Sequence, residues 1–381
     1  MKRTGRLWSA ALSALALLAT ACSANDEAVQ PGGTTTVAPP VVTTVAPSSA
    51  PATAQRPPEL GRLEGITTTA SVGGGAGIDR WQEEVPGIQD VRIRSTADGQ
   101  EQQALWLPPA GEGPQPVLVV VHSWSHGYLQ HAGIPFGRWA AQHGWGMVHP
   151  DFRGRFAAPE ATGSDLAVQD VIDAVDFALQ QGAVAPDKVF LIGFSGGGMM
   201  SLLTAGRHPG RFAGAVAWVP IHDLVDWHEY NAQRQTRYAD EIQHSCGGDP
   251  RHDPQARSSC EHRSPRAHLD AARQAGLPVY IGHGVDDSVV PPSHSLQAFN
   301  QLAEQSDRLP EQVVAAAGRV AVADELRGRI EAETYFDDGD PPVVFSRRSG
   351  PVTLVLFEGG HEMAYHPGLQ WMVKGSGAWP R

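Results

Sequence analysis

The residues with most to offer chemically in this 381-residue chain lie in three short loops. Ser195 stands in Gly193-Phe194-Ser195-Gly196-Gly197, after the apolar run Val189-Phe190-Leu191-Ile192 and before an apolar, helix-like stretch over residues 199–205. A strand, a sharp turn and a helix with a serine at the apex lift the hydroxyl out of a sheet, and the strained backbone there calls for glycine on both flanks. The same turn aims the N–H of Gly196 at whatever the hydroxyl attacks. A neutral serine is a weak nucleophile, so it needs a base within hydrogen-bond reach and a carboxylate to orient that base. Two later loops supply them: His283-Gly284-Val285-Asp286-Asp287-Ser288-Val289-Val290-Pro291, and Glu358-Gly359-Gly360-His361-Glu362. Of 16 histidines, His361 is the one placed just after a late strand in a Gly-Gly-His loop, which selects it as the base. His366 reads as an exposed helix residue beside Pro367, and His283 as a structural residue below the acid loop. Such a trio transfers acyl groups through a covalent intermediate.

The elements that must carry these loops follow from periodicity. Residues 91–94 alternate like a half-buried strand, and Asp98-Gly99 is a hairpin turn into residues 103–107. Residues 117–121 are continuously apolar, as expected of a parallel strand covered on both faces. A helix ending at His143 before Gly144 and a strand at 146–149 come next. A helix over 165–180 follows, with Leu166, Val168, Val171, Ile172, Val175 and Leu179 at helical spacing and Gly182 past its end. Strands at 189–192, 214–219, 278–282 and 352–357 complete an alternating βα pattern, so the fold class is α/β, a mostly parallel central sheet with helices on both faces. Ligands of such sheets bind at the carboxyl ends of the strands, where all three loops fall. Two segments stand apart. Residues 221–265 are polar and read as a cap-like insertion; residues 303–347 look helical, then turn polar at Asp337-Asp338-Gly339-Asp340, and are expected outside the sheet.

The order Ser, Asp, His, the Gly193 to Gly197 turn, the His283-Gly284 to Pro291 segment, Gly360-His361, and Pro150-Asp151-Phe152-Arg153-Gly154 ahead of the nucleophile resemble the α/β-hydrolase superfamily. Within it they are most similar to the prolyl-oligopeptidase-like branch, over about residues 117–369. The resemblance implies an α/β-hydrolase domain over 76–381 with its insertion at 221–265. It implies that the acid is the fourth residue after the histidine of the His-Gly pair, Asp287; Asp286 is the alternative, otherwise a turn carboxylate. It places a second oxyanion donor in His122-Ser123-Trp124-Ser125-His126-Gly127, at the backbone N–H of Trp124, whose ring would form a pocket wall. It implies contact between Arg153 and a substrate carbonyl or carboxylate; the competing reading is a structural arginine paired with Asp151 or Asp170. Oligopeptidases of this branch carry a propeller domain ahead of the hydrolase domain that filters substrates by size. Here a tether occupies that place, which ranks hydrolysis of carboxylic or carbohydrate esters first and peptidase action on short peptides second. A non-catalytic, surface-anchored binding protein is the reading from another class, and the presence of all three triad members argues against it.

Composition bounds compartment and partners. A net charge of -12, with no basic run beyond the first six residues, excludes nucleic acid as a partner. Met1-Lys2-Arg3-Thr4-Gly5-Arg6 followed by an apolar run over 7–21 is the plan of a secretory leader, too short to span a bilayer comfortably. Leu18-Ala19-Thr20-Ala21-Cys22 resembles the processing box of bacterial lipoproteins, which implies acylation of Cys22, a membrane anchor and a place at the cell surface. Residues 22–75 then form a Thr/Pro/Ala-rich tether, expected to be disordered for want of large apolar side chains. Setting Cys22 aside leaves Cys246 and Cys260 to form a disulfide in an oxidising compartment. His222, His228, His244, His252 and His262 crowd the insertion, but no pair has ligand spacing with a third ligand, so no metal and no cofactor is expected.

Overall fold

The computed structural model of the chain describes residues 61–72, 76–318 and 324–379. The leader, Cys22 and the tether up to residue 60 lie outside the described residues. The strands are β1 (Gln89–Arg94), β2 (Glu101–Leu107), β3 (Gln115–Val121), β4 (Gly146–Pro150), β5 (Val184–Phe194), β6 (Gly214–Trp218), β7 (Val279–Gly284), β8 (Arg329–Ile330), β9 (Val343–Ser349) and β10 (Val352–Phe357). They form one sheet in the order β1-β2-β4-β3-β5-β6-β7-β10-β9-β8. From β4 across to β10 every neighbouring pair is parallel, whereas β2 runs antiparallel to β4 and β9 antiparallel to β10. This is the α/β-hydrolase fold. The hairpin β1-β2 turns through Asp98-Gly99, where Gly99 has φ +77°.

Continuous apolar strands have two buried faces because helices cover both. In β3, Val117, Val119 and Val121 enter one core while Leu118 and Val120 enter the other. The helix Asp165–Gln180 lies on the first face, burying Val168, Val171, Ile172 and Val175 as its period requires, and Ser164 caps it by accepting from the N–H of Ala167 at 3.0 Å. Ile78–Glu84, Ile134–His143 and Tyr365–Lys374 pack Trp81, Trp139 and Trp371 into the opposite core.

Three segments differ from expectation. The insertion is ordered as the helices Leu224–Gln233, Arg237–Cys246 and Pro254–His262, capped at the first and third by the side chains of Asp223 and Asp253. Its polarity hid them: Arg237–Cys246 buries only Ala239, Ile242, Ser245 and Cys246. A disulfide joins Cys246 to Cys260 and clips the last two helices together. Residues 303–347, expected outside the sheet, supply β8 and most of β9, because Val343-Val344-Phe345 is a run too short to announce itself among charges. Residues 61–72, assigned to the tether, are ordered: Leu63 is buried, the N–H of Thr69 donates to the carbonyl of Met363 at 3.0 Å and that of Tyr365 to the carbonyl of Thr67 at 3.0 Å. Backbone pairing across nearly three hundred residues leaves no mark on composition.

Candidate active site

Ser195 follows β5 and precedes the helix Gly196–Arg207 with φ +60° and ψ −120°, a backbone conformation unfavourable to most side chains, and its N–H donates to the carbonyl of Trp218 at 2.9 Å. Backbone crowding dictates the flanking glycines. A Cβ on Gly193 would stand 2.2 Å from the carbonyl oxygen of Gly197, and one on Gly197 would stand 2.3 Å from that of Val121. A Cβ on Gly196 would stand 2.6 Å from the backbone nitrogen of Trp124. The peptide groups of Gly196 and Trp124 therefore meet beside the nucleophile, which is the adjacency a two-donor oxyanion hole requires.

The two loops from β7 and β10 meet over Ser195. Nε2 of His361 lies 2.9 Å from Oγ of Ser195, and Nδ1 of His361 lies 2.7 Å from Oδ2 of Asp287. A carboxylate beside Nδ1 can only accept, so Nδ1 carries the proton and Nε2 offers its lone pair to the serine. Oδ1 of Asp287 accepts from the backbone N–H groups of Val289 and Val290 at 2.8 and 3.0 Å. Its Oδ2 also lies 3.3 Å from Nε2 of His283, which is 2.9 Å from the carbonyl of Val290 while Nδ1 is 2.7 Å from Oγ of Ser295. Since the Val290 carbonyl only accepts, Nε2 of His283 is protonated and its N–H is shared with Asp287. Burial alone would raise the Asp287 carboxyl, but the bonds from His283 and His361 outweigh it and hold the group well below the usual carboxylate range. Asp287 is thus the carboxylate that meets His361. Asp286 is exposed and ties its backbone N–H to the carbonyl of Gly359 at 2.9 Å. The approach of the loops leaves no room at Gly284, where a Cβ would lie 2.3 Å from the carbonyl oxygen of Gly360.

Two expected substrate contacts fall elsewhere. The guanidinium of Arg153 is bound to Asp170 at 2.5 Å, to Asp98 at 2.7 Å and to Ser95 at 3.0 Å, and only 8% of the side chain is exposed, so it braces the β1-β2 turn against the helix Asp165–Gln180. Two carboxylates close by make that ion pairing stronger than any contact with a passing ligand. The ring of Trp124 is buried against Trp227, Phe156 and Tyr238, and its Nε1 donates to Glu241 at 2.7 Å. With only 3% of Trp124 exposed, its side chain fastens the cap to the oxyanion loop and has little surface left to offer a substrate. Sequence reasoning missed Glu241 and Tyr230, which lie in the polar insertion outside any motif. Among the described residues no group of three or more His, Cys, Asp or Glu side chains is placed to share a metal ion.

A sequence model of the prolyl oligopeptidase family matches residues 158–333, a span that takes in Ser195 and Asp287 and stops short of His361. Dipeptidyl aminopeptidase BIII of Pseudoxanthomonas mexicana is 27% identical over 216 residues, 52% of this chain and 29% of that protein. Acylamino-acid-releasing enzyme 2 of Oryza sativa subsp. japonica is 24% identical over 229 residues, 54% of this chain and 28% of that one. The chain thus spans less than a third of the length of either relative. Among solved structures, the acylaminoacyl peptidase of Pyrococcus horikoshii aligns with a TM-score of 0.49 at 16% identity, over 72% of this chain and 37% of that one. The family and these relatives are named for peptidase activities and none for an esterase, so the comparisons stand with the peptidase alternative and against placing ester hydrolysis first.

Proposed function

We propose that the chain is a serine peptidase of the prolyl-oligopeptidase type, acting on short peptides through an acyl-enzyme. The observation that carries this reading is the continuous hydrogen-bond relay from Asp287 through His361 to Oγ of Ser195. Ser195 attacks the scissile carbonyl as Nε2 of His361 takes its proton, and Asp287 stabilises the imidazolium that forms. The N–H groups of Gly196 and Trp124 receive the oxyanion. His361 then returns the proton to the leaving amine, and a water activated by the same nitrogen releases the acyl group. This machinery serves esters as well as amides; the choice of amide rests on the family match and the named activities of the relatives. The leader and Cys22 support an exported, lipid-anchored enzyme.

A fluorophosphonate probe, a series of dipeptidyl nitroanilides and matching nitrophenyl esters test the reading together. The expected result is an adduct on Ser195 and turnover of the nitroanilides. Labelling with ester turnover alone would overturn the peptidase assignment, and no labelling at all would overturn the enzyme.

A further inference from the structure

A cavity of about 260 Å³ lies beside the acid loop, walled by Tyr230 and Arg234 from the cap, by Asp286, Ser288 and Pro291, and by Gly318. Asp287 of the triad also lines it, and the acyl-transfer steps leave its other charged groups, Arg234 and Asp286, unused. The Tyr230 hydroxyl donates to the carbonyl of Ser288 at 2.8 Å, which fixes the cap helix to the residue following Asp287. Over the Tyr230 ring, 3.6 Å from its centroid, lies the guanidinium of Arg234, which also donates to the carbonyl of Tyr230 at 3.4 Å. Among the described residues no carboxylate forms an ion pair with Arg234, and none of the hydrogen bonds involves the carboxylate of Asp286.

A guanidinium lying on an aromatic face is held in place while its N–H edges stay free, the geometry suited to a planar, bidentate acceptor. A simple anion would meet the charge of Asp286, and a simple cation that of Arg234. A group that carries both signs answers both, and a volume of this size suits one amino-acid residue rather than a larger ligand. We infer that the cavity is the subsite for the substrate's N-terminal residue and that it selects glutamate or aspartate, Asp286 pairing with the α-ammonium and Arg234 with the side-chain carboxylate. This rests on the peptidase reading and adds a substrate class to it.

The test compares Glu-Ala, Gln-Ala and N-acetyl-Glu-Ala nitroanilides with wild type, Arg234→Gln and Asp286→Asn. Wild type should prefer Glu-Ala over Gln-Ala by about tenfold in kcat/KM, the scale of one hydrogen-bonded charge pair. Arg234→Gln should bring that ratio toward one, and Asp286→Asn should erase a similar penalty for acetylation. Equal rates of probe labelling at Ser195 show that the variants are folded. A wild-type Glu/Gln ratio near one, or a ratio that survives Arg234→Gln, overturns the subsite. Nitrophenyl esters of the same three dipeptides report the ratio even where the amides are not cut, so failure of the peptidase reading and failure of the subsite register separately.

Discussion

Asp287 accepts at both oxygens: two backbone N–H groups hold Oδ1, and two histidines meet at Oδ2. With one oxygen immobilised, the other can hold His361 in a single tautomer. Asp287→Asn would offer an amide where the imidazole needs an acceptor, and turnover should fall by about 10⁴. Ser195→Ala and His361→Ala should each lose at least roughly a few thousandfold, and combining them should cost little more, since the triad acts as a unit. Additive losses in the double variant would contradict the relay. Buried titrating groups also set the response to acid. His149 is buried and pushed down to about 3, chiefly by burial. It stays neutral in the folded chain while its unfolded counterpart protonates near about 6.5, so stability is lost as pH falls from there toward 3. Asp287 adds a second loss below about pH 4, where an ordinary aspartate begins to protonate in the unfolded chain but this one stays charged in the folded chain. The melting temperature should therefore drop steadily from about pH 6.5 to 4 and further below about pH 4; a flat profile from about pH 6.5 to 4 in thermal unfolding would count against the burial of His149.

At the level of elements, the disulfide has a position that predicts its effect. Cys246 ends one cap helix and Cys260 lies in the next, while Ser195, Asp287 and His361 stand outside the clipped loop. The cap still reaches the site by Glu241 on Trp124 and by Tyr230 on Ser288. A crosslink closing a loop of this size contributes about 3 kcal/mol by restricting the unfolded chain. Cys246→Ser should accordingly raise KM and expose Gly247-Gly248 to proteolysis while leaving the rate of probe labelling at Ser195 within about twofold. Equal loss of labelling and affinity would mean that the cap and the triad are one unit.

For the whole molecule, the proposed export signal and the candidate triad occupy separate stretches of chain. If Cys22 carries lipid, each buried CH₂ would hold it to a membrane by about 0.8 kcal/mol. Cys22→Ser should move activity from the membrane fraction into the medium; activity that stays with membranes would argue for an uncleaved leader. The order Ser, Asp, His, the glycines around Ser195 and the alternating apolar runs made the fold class legible in sequence and singled out Ser195 and His361 as the candidate nucleophile and base, because a strained turn and a two-faced strand each impose local residue requirements. The acid is a subtler case: Asp286 and Asp287 are chemically alike, and resemblance chose between them before the hydrogen bond to His361 did. What only the tertiary structure decided depends on distant partners. Arg153 went to Asp98 and Asp170, Trp124 to Glu241, and residues 61–72 to the loop behind His361. A side chain's type states what it can bond, but its partner is set by which strands become neighbours, and in a parallel sheet those neighbours come from far along the chain.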